Sequence, residues 1–102
     1  MKYIMFWSID PDRLESAIKK LKKIVPDESG RYPEKMSESY SMGGTLEGFR
    51  LVEANEEQLT NLMVETLPEM KFEFVPIFEF PNIVKKFTEV EEEDIHEKKH
   101  HN

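Results

Sequence analysis

The stretch Lys2-Tyr3-Ile4-Met5-Phe6-Trp7-Ser8-Ile9-Asp10 constrains this chain more than any other. Side chains alternate across a strand, so Tyr3, Met5, Trp7 and Ile9 point one way and Ile4 and Phe6 the other. A strand wet on one side alternates apolar with polar residues; this one is apolar on both. It has to be covered twice. The chain has 102 residues, which is one domain. A domain of that size buries only about 60–70% of the surface its unfolded chain exposes, so every dense apolar segment must contribute to the core.

Downstream of this strand the periodicity changes. Asp10-Pro11 is a helix start, with Asp10 as cap and Pro11 at the first helical position. Leu14, Ala17, Ile18, Leu21, Ile24 and Val25 then recur at helical spacing. Asp12 and Glu15 near its start and Lys19, Lys20, Lys22 and Lys23 near its end complement the helix dipole. The lysine cluster reads as a solvated face rather than a phosphate site. Residues 26–35 form a turn-rich loop, longer than a plain connection needs. It is long enough to arch over a cleft, although its composition reads first as a mobile surface loop.

Residues 36–42 alternate, with Met36, Glu38, Tyr40 and Met42 on one side and serines on the other, as in an edge strand. Gly43-Gly44 turns the chain into a strand from about Thr45 to Ala54. There Phe49 and Leu51 share a face with Glu47 and Glu53, and Arg50 and Val52 share the other. Gly48 interrupts the pattern, which marks a bulge or a close backbone approach. Asn55 and Gln58 form a capping box for a second helix carrying Leu59, Leu62, Met63 and Leu67. Met70–Phe80 reads as a fourth strand, and Pro76 confines it to an edge or a bulge. From Asn82 onward Ile83, Phe87 and Val90 indicate a third helix. Residues 1–90 are thus read as the domain, and residues 91–102 as a charged tail that frays.

The order β-α-β-β-α-β with right-handed crossovers predicts an α+β, ferredoxin-like sandwich. Two helices would lie on one face of a four-stranded antiparallel sheet ordered fourth, first, third, second. Leu14, Ile18 and Leu21 would fill its helix side with Leu59, Leu62 and Met63. The sequence leaves open which face of the first strand the helices cover. The remaining apolar face is expected to meet a second copy of the chain in a twofold dimer.

The chain resembles the dimeric α/β-barrel superfamily, and more narrowly is similar to the small bacterial and archaeal proteins of domain-of-unknown-function family 3303. The resemblance rests on Met1-Lys2-Tyr3 leading into Trp7-Ser8-Ile9-Asp10-Pro11. It also rests on Gly43-Gly44 followed by Gly48-Phe49-Arg50-Leu51-Val52-Glu53-Ala54-Asn55, and on the Phe-rich strand ending Val75-Pro76-Ile77. It covers roughly the first 80 residues. It implies a homodimer whose sheets face each other around a central space. It implies no established activity and no catalytic residues.

Charge and composition narrow the functional classes. The net charge is −7, which argues against a nucleic-acid backbone or an anionic membrane surface as partner. No run reaches the roughly 20 apolar residues of a membrane span, and the N-terminus has no secretory pattern. Cysteine is absent, so disulfides, thiolate nucleophiles and Cys-based metal sites are out, in keeping with a cytoplasmic location. No carboxylate pair, Ser-His-Asp set or phosphate loop is present.

The candidate ligand-binding residues are therefore Trp7, Tyr40, Arg50 and Glu53. Trp7 reads first as core, and Arg50 as half of a cross-strand ion pair, though an arginine within a sheet also suits a bidentate carboxylate. Glu38 and Glu47 are further acids on the second and third strands. His96 and His100 have helical i, i+4 spacing, but two imidazoles on a tail make a weak metal site. Some relatives in the wider superfamily degrade haem through an axial His; the histidines here are confined to the tail, so neither a cofactor nor a metal is expected. The leading expectation is a homodimer that binds a small apolar or aromatic molecule between its sheets, without demonstrable catalysis. The alternatives are a cofactor-independent monooxygenase or isomerase-like enzyme and an adaptor using its acidic C-terminal segment.

Overall fold

The computed structural model describes the backbone of residues 1–100 and the side chains of residues 1–92. The first strand, β1 (Lys2–Ile9), ends at Asp10, whose carboxylate accepts the backbone N–H of Asp12 at 3.0 Å. Pro11 has no N–H to lose and opens a 3-10 turn, Pro11–Arg13, that runs into α1 (Leu14–Ile24). Lys22 and Lys23 occupy the last turn of α1, at the negative end of its dipole.

The segment expected as one strand over 36–42 is instead two short pairings along β4 (Glu47–Glu53): β2 (Glu34–Lys35) and β3 (Tyr40–Ser41). Lys35 pairs with Val52 and Tyr40 with Phe49, five steps along the edge for three along β4, a slip of two residues. Serine chemistry accounts for the break. The N–H of Met36 still donates to the Leu51 carbonyl at 2.9 Å, but the Leu51 N–H donates to Ser37 Oγ, also at 2.9 Å, in place of a backbone carbonyl. A hydroxyl that competes for ladder groups in this way lifts the residues that follow out of register.

The second helix, α2 (Glu56–Thr66), has both halves of the expected capping box. Asn55 Oδ1 accepts the Gln58 N–H at 2.8 Å, and Gln58 Oε1 accepts the Asn55 N–H at 3.0 Å. The chain then enters β5 (Met70–Ile77) and finally α3 (Phe80–His100). The expected tail falls on residues 91–102. There α3 continues to His100, whereas residues 101–102, and the side chains of residues 93–100 with those of His96 and His100, lie outside the described part.

Among the described residues the chain is α+β, with three α-helices and an open antiparallel sheet of five strands. The strand order is β2-β4-β1-β5, with β3 sharing the outer edge of β4 with β2. The strand from the opening stretch is therefore central, and Pro76 sits on an outer strand, where a missing N–H leaves no ladder partner unpaired.

Register decides the faces. Met5 lies opposite Arg50 and Phe74, Trp7 opposite Gly48 and Phe72, and Tyr3 opposite Val52 and Pro76. This set faces the helices, because Met5 and Val52 form the buried core with Ile24 of α1 and Leu62 of α2. Val52 is the deepest of them, 1% exposed. The contribution of α1 differs from the expected one. Ala17 and Ile24 are buried, while Ile18 is 42% exposed. Successive helical residues are rotated by about 100°, so a helix seated on Ala17 turns Ile18 toward its flank.

The other face of the sheet presents Ile4, Phe6, Phe49, Leu51, Val75 and Ile77, none of them fully buried. Phe6 and Phe49 are neighbours there, with ring centroids 6.5 Å apart, and Tyr40 lies 5.5 Å from Phe49. An ion pair between Lys2 and Glu79, 2.5 Å, ties the start of α3 to this face. Further along α3 the apolar residues Ile83, Val84, Phe87 and Val90 are solvent-exposed, and the molecule is elongated, 70 × 32 × 20 Å.

Candidate functional site

A cleft of about 250 Å³ opens on the helix side of the sheet. Its floor is Met5, Trp7 and Ile9 of β1, Arg50 and Val52 of β4, and Met70 and Phe72 of β5. Leu21, Ile24 and Val25 make one wall, from the C-terminal half of α1, and Leu62 of α2 closes the back. The long loop after α1 supplies the rest through Asp27, Tyr32, Pro33, Lys35 and Ser39. Apolar lining with a few polar groups is the usual make-up of small-molecule sites.

The loop is held in place rather than free over the surface. Gln58 Nε2 donates to the Gly30 carbonyl at 2.9 Å, and Asn61 Nδ2 to the Arg31 carbonyl at 3.0 Å. Tyr32 OH donates to Glu65 at 2.5 Å, and Arg31 also pairs with Glu65. All three anchors lie on one face of α2, at helical spacing of three and four. The carboxylate of Glu65 raises the Tyr32 phenol above its ordinary value, chiefly through their hydrogen bond and then through burial. Lys35 Nζ donates to the Val25 carbonyl at 2.5 Å, stitching the loop back to the end of α1.

Trp7 owes its position to Gly48. A Cβ on Gly48 would lie 2.3 Å from Trp7 Cζ2 and 2.0 Å from the Tyr40 carbonyl oxygen. The indole therefore rests directly on the β4 backbone, and only glycine leaves room for it. Its Nε1–H donates to Ser39 Oγ at 2.8 Å, which fixes the ring in the cleft floor. Gly48 is thus a close approach, the second of the two readings its place in the strand suggested.

Arg50 is the unusual group. It projects from the central part of β4 on the cleft side, and its Nε is buried with no hydrogen-bond partner. Among the described residues no carboxylate lies within 4.0 Å of its guanidinium, so the expected cross-strand ion pair is not formed. The strand faces explain this. Glu47 and Glu53 alternate onto the opposite side of β4 from Arg50.

The four candidate residues therefore divide. Trp7 and Arg50 meet at the cleft. Tyr40 and Glu53 lie on the far face of the sheet, Tyr40 against Phe49 and Glu53 opposite Lys2. Tyr32, Lys35 and Ser39 were not singled out in the sequence. The signal that pointed to them was the length of the loop after α1, which cannot by itself say where the loop lies.

A second polar cluster sits away from the cleft. Glu69 is buried, accepting from Lys20 at 2.6 Å and from Ser16 at 3.0 Å. The hydrogen bond from Lys20 holds its carboxyl below the ordinary value, against the opposing effect of burial. The cluster pins α1 to the start of β5.

Among the described residues no group of three or more His, Cys, Asp or Glu is placed to hold a metal ion, and no helix is long and apolar enough to cross a membrane. No protein-family model matches the chain, and no curated protein matches it.

Proposed function

We propose that this chain is a small-molecule-binding protein whose binding site is the helix-side cleft, and that it works as a homodimer of ferredoxin-like, dimeric α/β-barrel type. One observation carries the binding reading: an apolar cleft of about 250 Å³ with the partnerless Arg50 and the wedged Trp7 on its floor. The site proposed from the sequence lay between two sheets; the cleft moves it to the opposite face of the same sheet. Binding is favoured over catalysis because the other polar groups at the cleft are engaged. Trp7 is bonded to Ser39, Tyr32 to Glu65, Lys35 to the Val25 carbonyl and Asp27 to Ser29.

The dimer rests on the other face. Ile4, Phe6, Phe49, Leu51, Val75 and Ile77 form a contiguous apolar surface, and such surfaces mark interfaces. A second copy laid sheet to sheet would cover it, and the exposed apolar side of α3 would extend the contact. The strand order β2-β4-β1-β5 supports the ferredoxin-like assignment.

The test of the binding reading is a fragment panel of single-ring and short-chain molecules, both neutral and charged. Trp7 is the only tryptophan, so its emission reports on the cleft floor and on the neighbouring surface beside Phe6 and Glu47. Saturable changes in that emission are expected. A panel that leaves the emission unmoved at millimolar concentrations overturns the reading.

A further inference from the structure

Arg50 restricts what the cleft can hold. A buried guanidinium N–H without a partner is costly, and the cost is removed by an acceptor that the chain does not supply. Its Nε is buried and unpaired, and no carboxylate of the described residues approaches the guanidinium within 4.0 Å. Lys35, the other cation at the cleft, is solvent-exposed with Nζ donating to the Val25 carbonyl, so Arg50 is the cation whose buried N–H lacks an acceptor. Asp27, the one acid at the cleft, is solvent-exposed, and its Oδ1 already accepts the Ser29 N–H at 2.7 Å and the Ser29 hydroxyl at 2.5 Å.

One planar cation matches one planar monoanion. A guanidinium meets a carboxylate through two parallel hydrogen bonds, whereas a dianionic phosphate would call for further cations. The remaining walls are apolar and partly aromatic, with Trp7 and Phe72 directly opposite each other on neighbouring strands. Size sets the last limit. A cavity of roughly 150 Å³ holds a benzene ring, and this cleft is about 250 Å³. That leaves space for one ring with a short linker, or an aliphatic chain of similar bulk.

We propose that the cleft takes a small monocarboxylate with a one-ring or short-chain apolar body, its carboxylate paired to Arg50 and its body lying against Trp7 and Phe72. This rests on the binding reading above and adds the chemical class of the ligand.

The experiment titrates the full chain with 3-phenylpropanoate and, separately, with the neutral isostere 3-phenylpropanamide, following Trp7 emission. The same titrations are run on Arg50→Met and Arg50→Lys. The acid is expected to bind roughly ten- to a hundredfold more tightly than the amide, the worth of a charge-assisted hydrogen bond. Arg50→Met should abolish that preference by weakening the acid far more than the amide, and Arg50→Lys should restore part of it. Equal binding of acid and amide to the unmodified chain, or a preference that survives in Arg50→Met, overturns the carboxylate assignment and leaves the binding site standing. If neither compound perturbs Trp7 while other fragments of the panel do, the carboxylate assignment falls alone; if the whole panel is silent, the binding reading falls with it. Should Arg50→Met fail to fold, the acid and amide titrations of the unmodified chain still decide.

Discussion

Replacing Gly48 by alanine tests how Trp7 is built into the sheet. Gly48 does not have a positive φ, so alanine suits its backbone and only the added methyl group matters. That methyl would meet a backbone oxygen, Tyr40 O, at 2.0 Å and the indole at 2.3 Å and 2.7 Å. The carbonyl cannot rotate away without separating β3 from β4, so the indole and the edge must both shift. Overpacking of this kind costs typically about 1–3 kcal/mol. Displacing the indole also breaks its bond to Ser39, worth about 1 kcal/mol. The gain from a stiffer unfolded chain offsets about 0.4–1 kcal/mol. The net expectation is a loss of roughly 2–3 kcal/mol. Urea unfolding at fixed protein concentration reads this directly. With an m-value of about 1–3 kcal/mol/M, the midpoint should fall by on the order of 1–2 M. Trp7 emission in the folded baseline should shift as well. A Gly48→Ala protein with an unchanged midpoint and unchanged emission would refute the placement of the indole on the β4 backbone.

Three further outcomes follow from the same packing. Leu62→Ala should cost about 2–5 kcal/mol, as for a buried leucine, while Ile18→Ala should cost less than about 1 kcal/mol; equal losses would restore Ile18 to the core. Glu69 has a folded-state pKa below its ordinary value of 4.5, so its contribution is full above that value and is lost as pH falls through the lower, folded one. The stability difference between the native chain and Glu69→Gln should therefore be constant from pH 6 to 8, within the approximation of one linked group, and shrink below about pH 4.5; a difference that stays flat down to pH 3 contradicts the Lys20–Glu69 pairing. Sedimentation at micromolar concentration should give twice the chain mass of 12.1 kDa, and Phe6→Glu should convert it to a folded monomer; a native monomer would remove the sheet-to-sheet dimer.

Much of the fold was legible because it is written in local chemistry. Asp10-Pro11 and the Asn55–Gln58 box act within a few residues; the box starts α2 where expected, while Asp10-Pro11 opens the 3-10 turn that precedes α1 at Leu14. The antiparallel order followed from the chain of elements and from Pro76 needing an outer strand. What was not legible depended on distant partners. Apolar residues on both sides of Lys2–Ile9 say that both are covered, but only the register of Met5 against Arg50 and Phe74 says by what. Alternation over 36–42 suggested one strand, and a single hydroxyl, Ser37, broke it. Trp7 and Arg50 could be named as candidates from type and strand position. That they share a cleft, and that Tyr40 and Glu53 do not, depends on where the loop after α1 docks, which is set by Gln58, Asn61 and Glu65 some 30 residues away.

The central claim is that ligand enters on the helix side of the sheet, at Arg50. Chemical-shift mapping of the labelled chain with 3-phenylpropanoate tests it most directly. The expected result is a set of shifts at the Trp7 indole N–H, the Arg50 Nε–H and the methyl groups of Leu21, Ile24, Val52 and Leu62. The methyl groups of Ile4, Leu51, Val75 and Ile77 on the opposite face should stay in place. Shifts concentrated on those four residues, with Arg50 and Trp7 unmoved, would put the ligand between sheets and contradict the claim.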